Sequence, residues 1–107
     1  MQIAEIELIG PQVASVDISS APGTNITGRA RISDNEAETM AFDDLTSTKW
    51  LDNGGVPSVE DPSWVQLDFV APRIVNSISI TSANDSPERD PENFTVLGSN
   101  DGGATWE

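Results

Sequence analysis

An all-β fold, an antiparallel β-sandwich of the jelly-roll kind, is what this sequence predicts, and three observations predict it. Period-two alternation recurs in short stretches: Val65, Leu67 and Phe69 against Gln66 and Asp68 in VQLDF, and Ile78 and Ile80 against Ser77, Ser79 and Thr81 in NSISITS. Successive side chains of a strand point to opposite faces, so this pattern buries one face and wets the other. Proline and glycine punctuate the intervals, in APG, DNGGVP, DPSW, APR and ERDPEN. Helical periodicity is scarce, so no crossover helices are available to cover a parallel sheet.

The elements follow in chain order. QIAEIELIG, residues 2–10, reads as a strand with Ala4, Ile6 and Leu8 on one apolar face; its other face carries Glu5 and Glu7 between Ile3 and Ile9. Two carboxylates in mid-strand on a face with apolar ends require a reason to be there. ASVDIS, with Val16 and Ile18, is a shorter strand. RISDNEAETMAFDD is the best helical stretch, with Ser33 or Asp34 capping a turn that runs through Glu36 and Met40, too short to stand alone. Trp50 and Trp64 are expected in the core, Trp64 at the head of the VQLDF strand. After NSISITS comes a further short strand, FTVLGS, with Phe94 and Val96 inward. SNDGGATW then forms a hairpin turn over residues 100–103, whose glycines accept positive φ. It resembles the Asp-box of sialidase propellers, a structural hairpin without catalytic weight.

Composition removes several classes of function. At 107 residues the chain is one domain, long enough to bury roughly two thirds of its unfolded surface. No apolar run approaches a membrane span and no charged-then-apolar leader is visible, so any export signal is expected outside this sequence. The chain has no cysteine, hence no disulfide framework or thiolate metal site, and no histidine, which removes the commonest general base and the usual zinc ligand. Eighteen acids against five bases give a net charge of −13, which repels phosphate backbones and anionic membranes. Neither nucleic acid binding nor membrane insertion is expected. The same charge strains a compact state, so a bound divalent cation would relieve more here than in a neutral domain, although a solvated acidic surface also accounts for it. Three glycosylation sequons start at Asn25, Asn84 and Asn93.

MAFDDLTSTKWLD concentrates oxygen donors: Asp43, Asp44, Thr46, Ser47 and Thr48 precede the rigid ring of Trp50. A hard cation such as calcium takes six to eight oxygens from carboxylates, hydroxyls and main-chain carbonyls. Spacing alone fits a solvated Asx- and Ser/Thr-rich turn equally well.

AFDDLTSTKWLD, SWVQLDF and ISITSANDSPERDPENFTVLGSNDGGATW, in that order, resemble the discoidin family, also called coagulation factor 5/8 type C domains, and within it the bacterial galactose-binding-like carbohydrate-binding modules. The likeness runs from about residue 24 to 106. It implies an eight-stranded jelly roll with a structural calcium near one end. On matching positions it implies as ligands the Met40 carbonyl, the Asp43 carboxylate, the Leu45 carbonyl, and Thr48 through hydroxyl and carbonyl. Asp44 stands where glycine is commoner and is expected to strain the turn, and Leu45 stands where Asp or Asn is commoner. The remaining ligands come from a last strand resembling AEIEL, which places them at the Ala4 carbonyl and the Glu5 carboxylate. That segment here precedes the body of the domain. Residues 1–10 are therefore expected to be the last strand of a preceding repeat, or a strand donated to a neighbour, with folding back onto the same chain as the other possibility. Residues 11–107 are expected to be a discoidin-like domain lacking its final strands, an incomplete sandwich open to completion by strand exchange.

Function in this family sits on loops at one end of the sandwich. The corresponding loop is SANDSPERDPEN, where Asn84, Asp85, Glu88, Arg89 and Asp90 supply donors and acceptors; Arg89 alternatively pairs with Asp90 or Glu88 to pin the loop. The resemblance implies a non-catalytic carbohydrate-binding module of an extracellular or cell-surface protein, with structural calcium as its cofactor and a glycan or polysaccharide as partner. The alternative is a structural or adhesive repeat that pairs strands with copies of itself or adjacent repeats and binds no sugar. No enzyme is expected: without His or Cys only paired carboxylates remain, and neighbours such as Asp43 and Asp44 lack the opposed geometry of a glycosidase pair.

Overall fold

A computed structural model describes residues 1–10, 17–19 and 23–107. Its regular elements are six short strands and three 3-10 turns: β1 (Gln2–Ile3), β2 (Glu5–Ile9), β3 (Asn25–Gly28), the turns Asp34–Glu36 and Glu38–Phe42, β4 (Trp50–Leu51), β5 (Val65–Asp68), β6 (Ser77–Thr81) and the turn Pro87–Arg89. The strands pair antiparallel as β1 with β4, β2 with β6 and β3 with β5. The chain is all-β with antiparallel pairing, as the alternation predicts, divided into three small sheets. No helix among the described residues is long and apolar enough to cross a membrane.

The opening stretch is not one strand. It bends at Ala4, and its two parts serve different sheets: Ile3 lies opposite Trp50, while Ile6 lies opposite Ile80 and Leu8 opposite Ile78. The Ala4 amide bridges the bend by donating to the Thr81 carbonyl at 3.0 Å. The opening segment thus pairs with the body of its own chain in this structure. Of ASVDIS, residues 14–16 lie outside the described residues; Asp17 forms an antiparallel bridge with Ile9, and the Ile18 amide donates to the Leu8 carbonyl at 2.8 Å.

The pairing explains the core. Ile3, Ile6, Ala41, Phe42 and Trp50 are buried together, and Ile26, Val65, Leu67, Ile78 and Ile80 pack against them. The alternation of NSISITS survives intact, with Ile78 and Ile80 half-buried and Ser77, Ser79 and Thr81 exposed. Trp50 is fully buried and its indole N–H donates to the Ala30 carbonyl at 2.8 Å, which satisfies the ring's one polar atom. Gly28 lets the Glu38–Phe42 turn and this ring close on β3: a Cβ there would meet Glu38 Cβ at 3.0 Å and Trp50 Cζ2 at 3.1 Å. The helical stretch becomes two 3-10 turns, with Ser33 at the cap position of the first but making no capping bond.

Arg29, just beyond β3, ties down the following loop. Its Nε donates to buried Asp52 at 2.8 Å, and its other nitrogens reach the carbonyls of Gly55 at 2.7 Å and Asp61 at 2.8 Å. Asp52 also accepts from Ser63 and from the Gly54 amide. Burial pushes the Asp52 carboxyl up, but these donors outweigh it and hold it below the usual range.

Two expectations are corrected. Trp64 is not in the core but 46% exposed, because it precedes β5 instead of facing inward from it. FTVLGS makes no ladder among the described residues, and Phe94 and Val96 are 60% and 52% exposed. Its one regular contact is reciprocal bonding between Gly98 and Glu107, each amide donating to the other's carbonyl at 2.9 Å.

Candidate metal centre and ligand loop

Glu5 begins β2 immediately after the bend, on the face opposite Ile6. It is only 4% exposed, and neither carboxylate oxygen has a hydrogen-bond partner of good geometry. A buried carboxylate without donors or a countercharge is costly. Burial pushes its pKa up to about 7; the nearby Asp44 amide works against this, while the charges of Asp43, Asp44 and Asp17 push it further up.

Carboxylate oxygens of Glu5, Asp17 and Asp44 lie within 4.8 Å of one another. Three local features bring them together. The Ile9–Asp17 bridge lays the second segment alongside β2. The Glu38–Phe42 turn packs Ala41 and Phe42 into the core and so delivers the next residues to the head of β2. Asp44 itself takes φ +62°, the left-handed conformation expected where the family commonly has glycine; Asp is among the side chains that tolerate it.

Asp43 shapes this loop. Its Oδ1 accepts the Leu45 amide at 3.0 Å and its Oδ2 accepts the Thr48 hydroxyl at 2.6 Å, while Thr48 also reaches the Leu45 carbonyl at 3.3 Å. Ala4 is fully buried beside Glu5, Met40 is half-buried with its amide donating to the Ala37 carbonyl at 2.9 Å, and Leu45 is 50% exposed. The fold therefore gathers the opening strand and the acidic loop in one region. Sequence reasoning missed Asp17; the signal was present, since in ASVDIS it alternates with Val16 and Ile18 and so falls on the face opposite them. Three converging carboxylates, one of them buried and unsatisfied, suit a hard oxygen-seeking divalent cation.

The loop of residues 82–93 is joined to β1 through Gln2. Asp85 is its anchor: Lys49 Nζ reaches its Oδ1 at 2.6 Å, and the buried Gln2 side chain donates to its main-chain and side-chain oxygens. Lys49 also donates to Gln2 at 3.1 Å. The Lys49 and Gln2 bonds hold the Asp85 carboxyl below its ordinary pKa. Asn84, Glu88 and Arg89 are exposed. Arg89 makes no ion pair among the described residues, with Glu88, Asp90 or any other acid. Ser86, at φ +45°, turns the chain into Pro87–Arg89, after which the Asp90 amide donates to the Pro87 carbonyl at 3.1 Å.

The closing hairpin satisfies itself. Ser99 and Thr105 donate to Asp101 from their hydroxyls, the Thr105 amide adds a bond at 2.9 Å, and the Asp101 carboxyl drops to about 2. Gly102 and Gly103 take φ of +71° and +90°. Every acceptor of its aspartate is occupied by the turn, which is the arrangement of a structural hairpin.

Residues 40–107 match a family described as the NedA-like, galactose-binding domain of F5/F8 type C kind. The chain belongs to that family. Over 70 residues it is 37% identical to a peptide-N(4)-(N-acetyl-beta-glucosaminyl)asparagine amidase of Arabidopsis thaliana, a match covering 64% of this chain and 9% of that protein. No solved structure gives a significant match. The F5/F8 type C membership agrees with the three motifs that carried the resemblance in the sequence.

Proposed function

We propose that the chain is a non-catalytic carbohydrate-binding module with a structural calcium site, serving an extracellular or cell-surface protein. The observation that carries this reading is membership of residues 40–107 in a galactose-binding family. The similar Arabidopsis protein is named for the N-acetylglucosaminyl-asparagine linkage, which makes glycans bearing that sugar, together with galactosides, the first ligands to test. A non-catalytic role is supported by the absence of His and Cys from the sequence and by acids that gather within 4.8 Å of one another, one of them buried. The calcium reading is supported by the unsatisfied Glu5 oxygens beside Asp17 and Asp44. Bound there, calcium would supply countercharge and lock the strand to the loop; Glu5, Asp17 and Asp44 would hold it, with Asp43 and Thr48 ordering the loop.

A glycan array probed with the protein in calcium and in chelator tests the reading. Binding to a defined neutral glycan is expected in calcium. An array without any bound glycan, from protein shown to be folded, would overturn the carbohydrate role and favour an adhesive repeat.

A further inference from the structure

The loop that Arg29 ties down lies outside both the metal centre and the ligand loop, and Asn53 opens it, exposed and directly followed by Gly54 and Gly55. The other asparagines of the sequence are followed by Ile26, Glu36, Ser77, Asp85, Phe94 and Asp101; Asn53 is the one followed by glycine. We propose that Asn53 is a self-modification site, where the chain's own Gly54 nitrogen and then water convert the asparagine to isoaspartate and aspartate and so release the Arg29 clamp. This chemistry needs no ligand and is independent of the carbohydrate-binding reading.

Three observations converge on it. A bond between the Gly54 nitrogen and Asn53 Cγ closes a succinimide ring, a closure that a side chain on residue 54 would crowd. The fold keeps glycine there: a Cβ on Gly54 would meet Arg29 Nε at 3.0 Å and Asp52 Oδ1 at 3.1 Å. The Gly54 N–H already donates to Asp52 Oδ1 at 2.8 Å, so an acceptor is aligned on the proton that the nitrogen must shed. The Arg29 guanidinium, packed against the same glycine, favours the negative charge that develops on that nitrogen. The new N–Cγ bond replaces the Cγ–Nδ2 bond, and the displaced amino group leaves as ammonia with the proton that Gly54 gave up. Water then opens the ring. Attack at Cγ gives aspartate, and attack at the main-chain carbonyl carbon gives isoaspartate, whose backbone runs through Cβ; nothing is oxidised or reduced.

The clamp is vulnerable to that product. Arg29 holds both flanks of Asn53, Asp52 through Nε at 2.8 Å and the Gly55 carbonyl at 2.7 Å. Isoaspartate adds a methylene to the backbone between them, so a rigid fork no longer meets both in register. Either product also places a new carboxylate next to buried Asp52 in a chain whose net charge is already −13.

The test is incubation of the full chain in mildly alkaline buffer, folded and in parallel unfolded in urea, followed by digestion and peptide mapping by mass spectrometry. An isoaspartate-specific carboxyl methyltransferase is the probe for the rearranged product. In the folded protein, conversion at Asn53 is expected to run roughly tenfold or more ahead of that at every other asparagine. The Asp101–Gly102 pair, with the same connectivity but a carboxylate held by Ser99 and Thr105, is the internal reference. The converted protein is expected to melt at a lower temperature than the fresh one, and Asn53→Ser to keep its melting temperature through the same incubation. Asn53 is exposed, so serine there is not expected to disturb folding. Conversion at Asn53 in urea but not in the folded protein would overturn the site, because the fold would then protect it. Conversion in the folded protein with an unchanged melting temperature would overturn the release of the Arg29 clamp.

Discussion

The carboxylates of Glu5 and Asp44 lie within 4.8 Å of each other although they belong to the opening strand and to the loop after Phe42. In a chain of net charge −13 this is repulsion built into the fold, concentrated where one of the two acids is almost out of reach of water. Whatever removes that repulsion, a proton or a metal ion, will register in stability.

Calcium is expected to raise the melting temperature. At free calcium one hundred times the dissociation constant, linkage gives about 2.7 kcal/mol, which for a domain of this size is roughly 10 °C or more. Glu5→Gln should abolish most of the shift and Asp43→Ala should reduce it by unmaking the loop that Leu45 and Thr48 hold. Thermal scans of the three proteins with and without calcium decide this; an unchanged calcium response in Glu5→Gln would remove the site from β2.

In chelator, stability should fall as pH rises. Glu5 has a folded-state pKa near 7 against 4.5 as its ordinary value, so the folded protein holds its proton over a range where the unfolded chain has released it. The contribution is complete below pH 4.5 and lost by about pH 7, with a ceiling of about 3 kcal/mol. Glu5→Gln should flatten that slope, as urea midpoints across this range will show.

Arg29→Ala should cost about 3–5 kcal/mol, because it leaves buried Asp52 ionised with its principal countercharge gone. Arg29→Lys should recover little of this, since a single ammonium cannot reach Asp52, Gly55 and Asp61 together as the fork does. Denaturant unfolding of both variants supplies the numbers.

Gly28→Ala should destabilise by about 1–3 kcal/mol through crowding against Glu38 and Trp50, although its backbone would tolerate the methyl in isolation. A Trp50 fluorescence change in the folded variant would locate the displacement.

Much of the fold was legible where one face of a strand is buried. Ile78 and Ile80 sit where their alternation puts them, and Trp50 is in the core. That Glu5 and the loop after Met40 share one site was implied by the family resemblance and not by local pattern; carboxylate oxygens of Glu5 and of Asp44 in that loop lie within 4.8 Å of each other. Other features depend on partners that local pattern does not reveal. Phe94 and Val96 alternate well but have no ladder among the described residues, so alternation alone did not bury them. The bend at Ala4 was hidden because Ile3 and Ile6 look like a phase error in one strand, when they are the inward positions of two. Arg89 was expected either to contact a ligand or to pair locally, and among the described residues it makes no ion pair with Glu88 or Asp90, while its charge still acts on the Asp85 carboxyl.

The pairing of β1 and β2 with β4 and β6 also bears on how the domain closes. These two strands find their partners only at Trp50–Leu51 and Ser77–Thr81, so covering Ile3 and Ile6 requires contacts between segments far apart in sequence. Closing loops of that length before any ladder bond rewards them is slow, and collapse of this core is therefore expected late in folding.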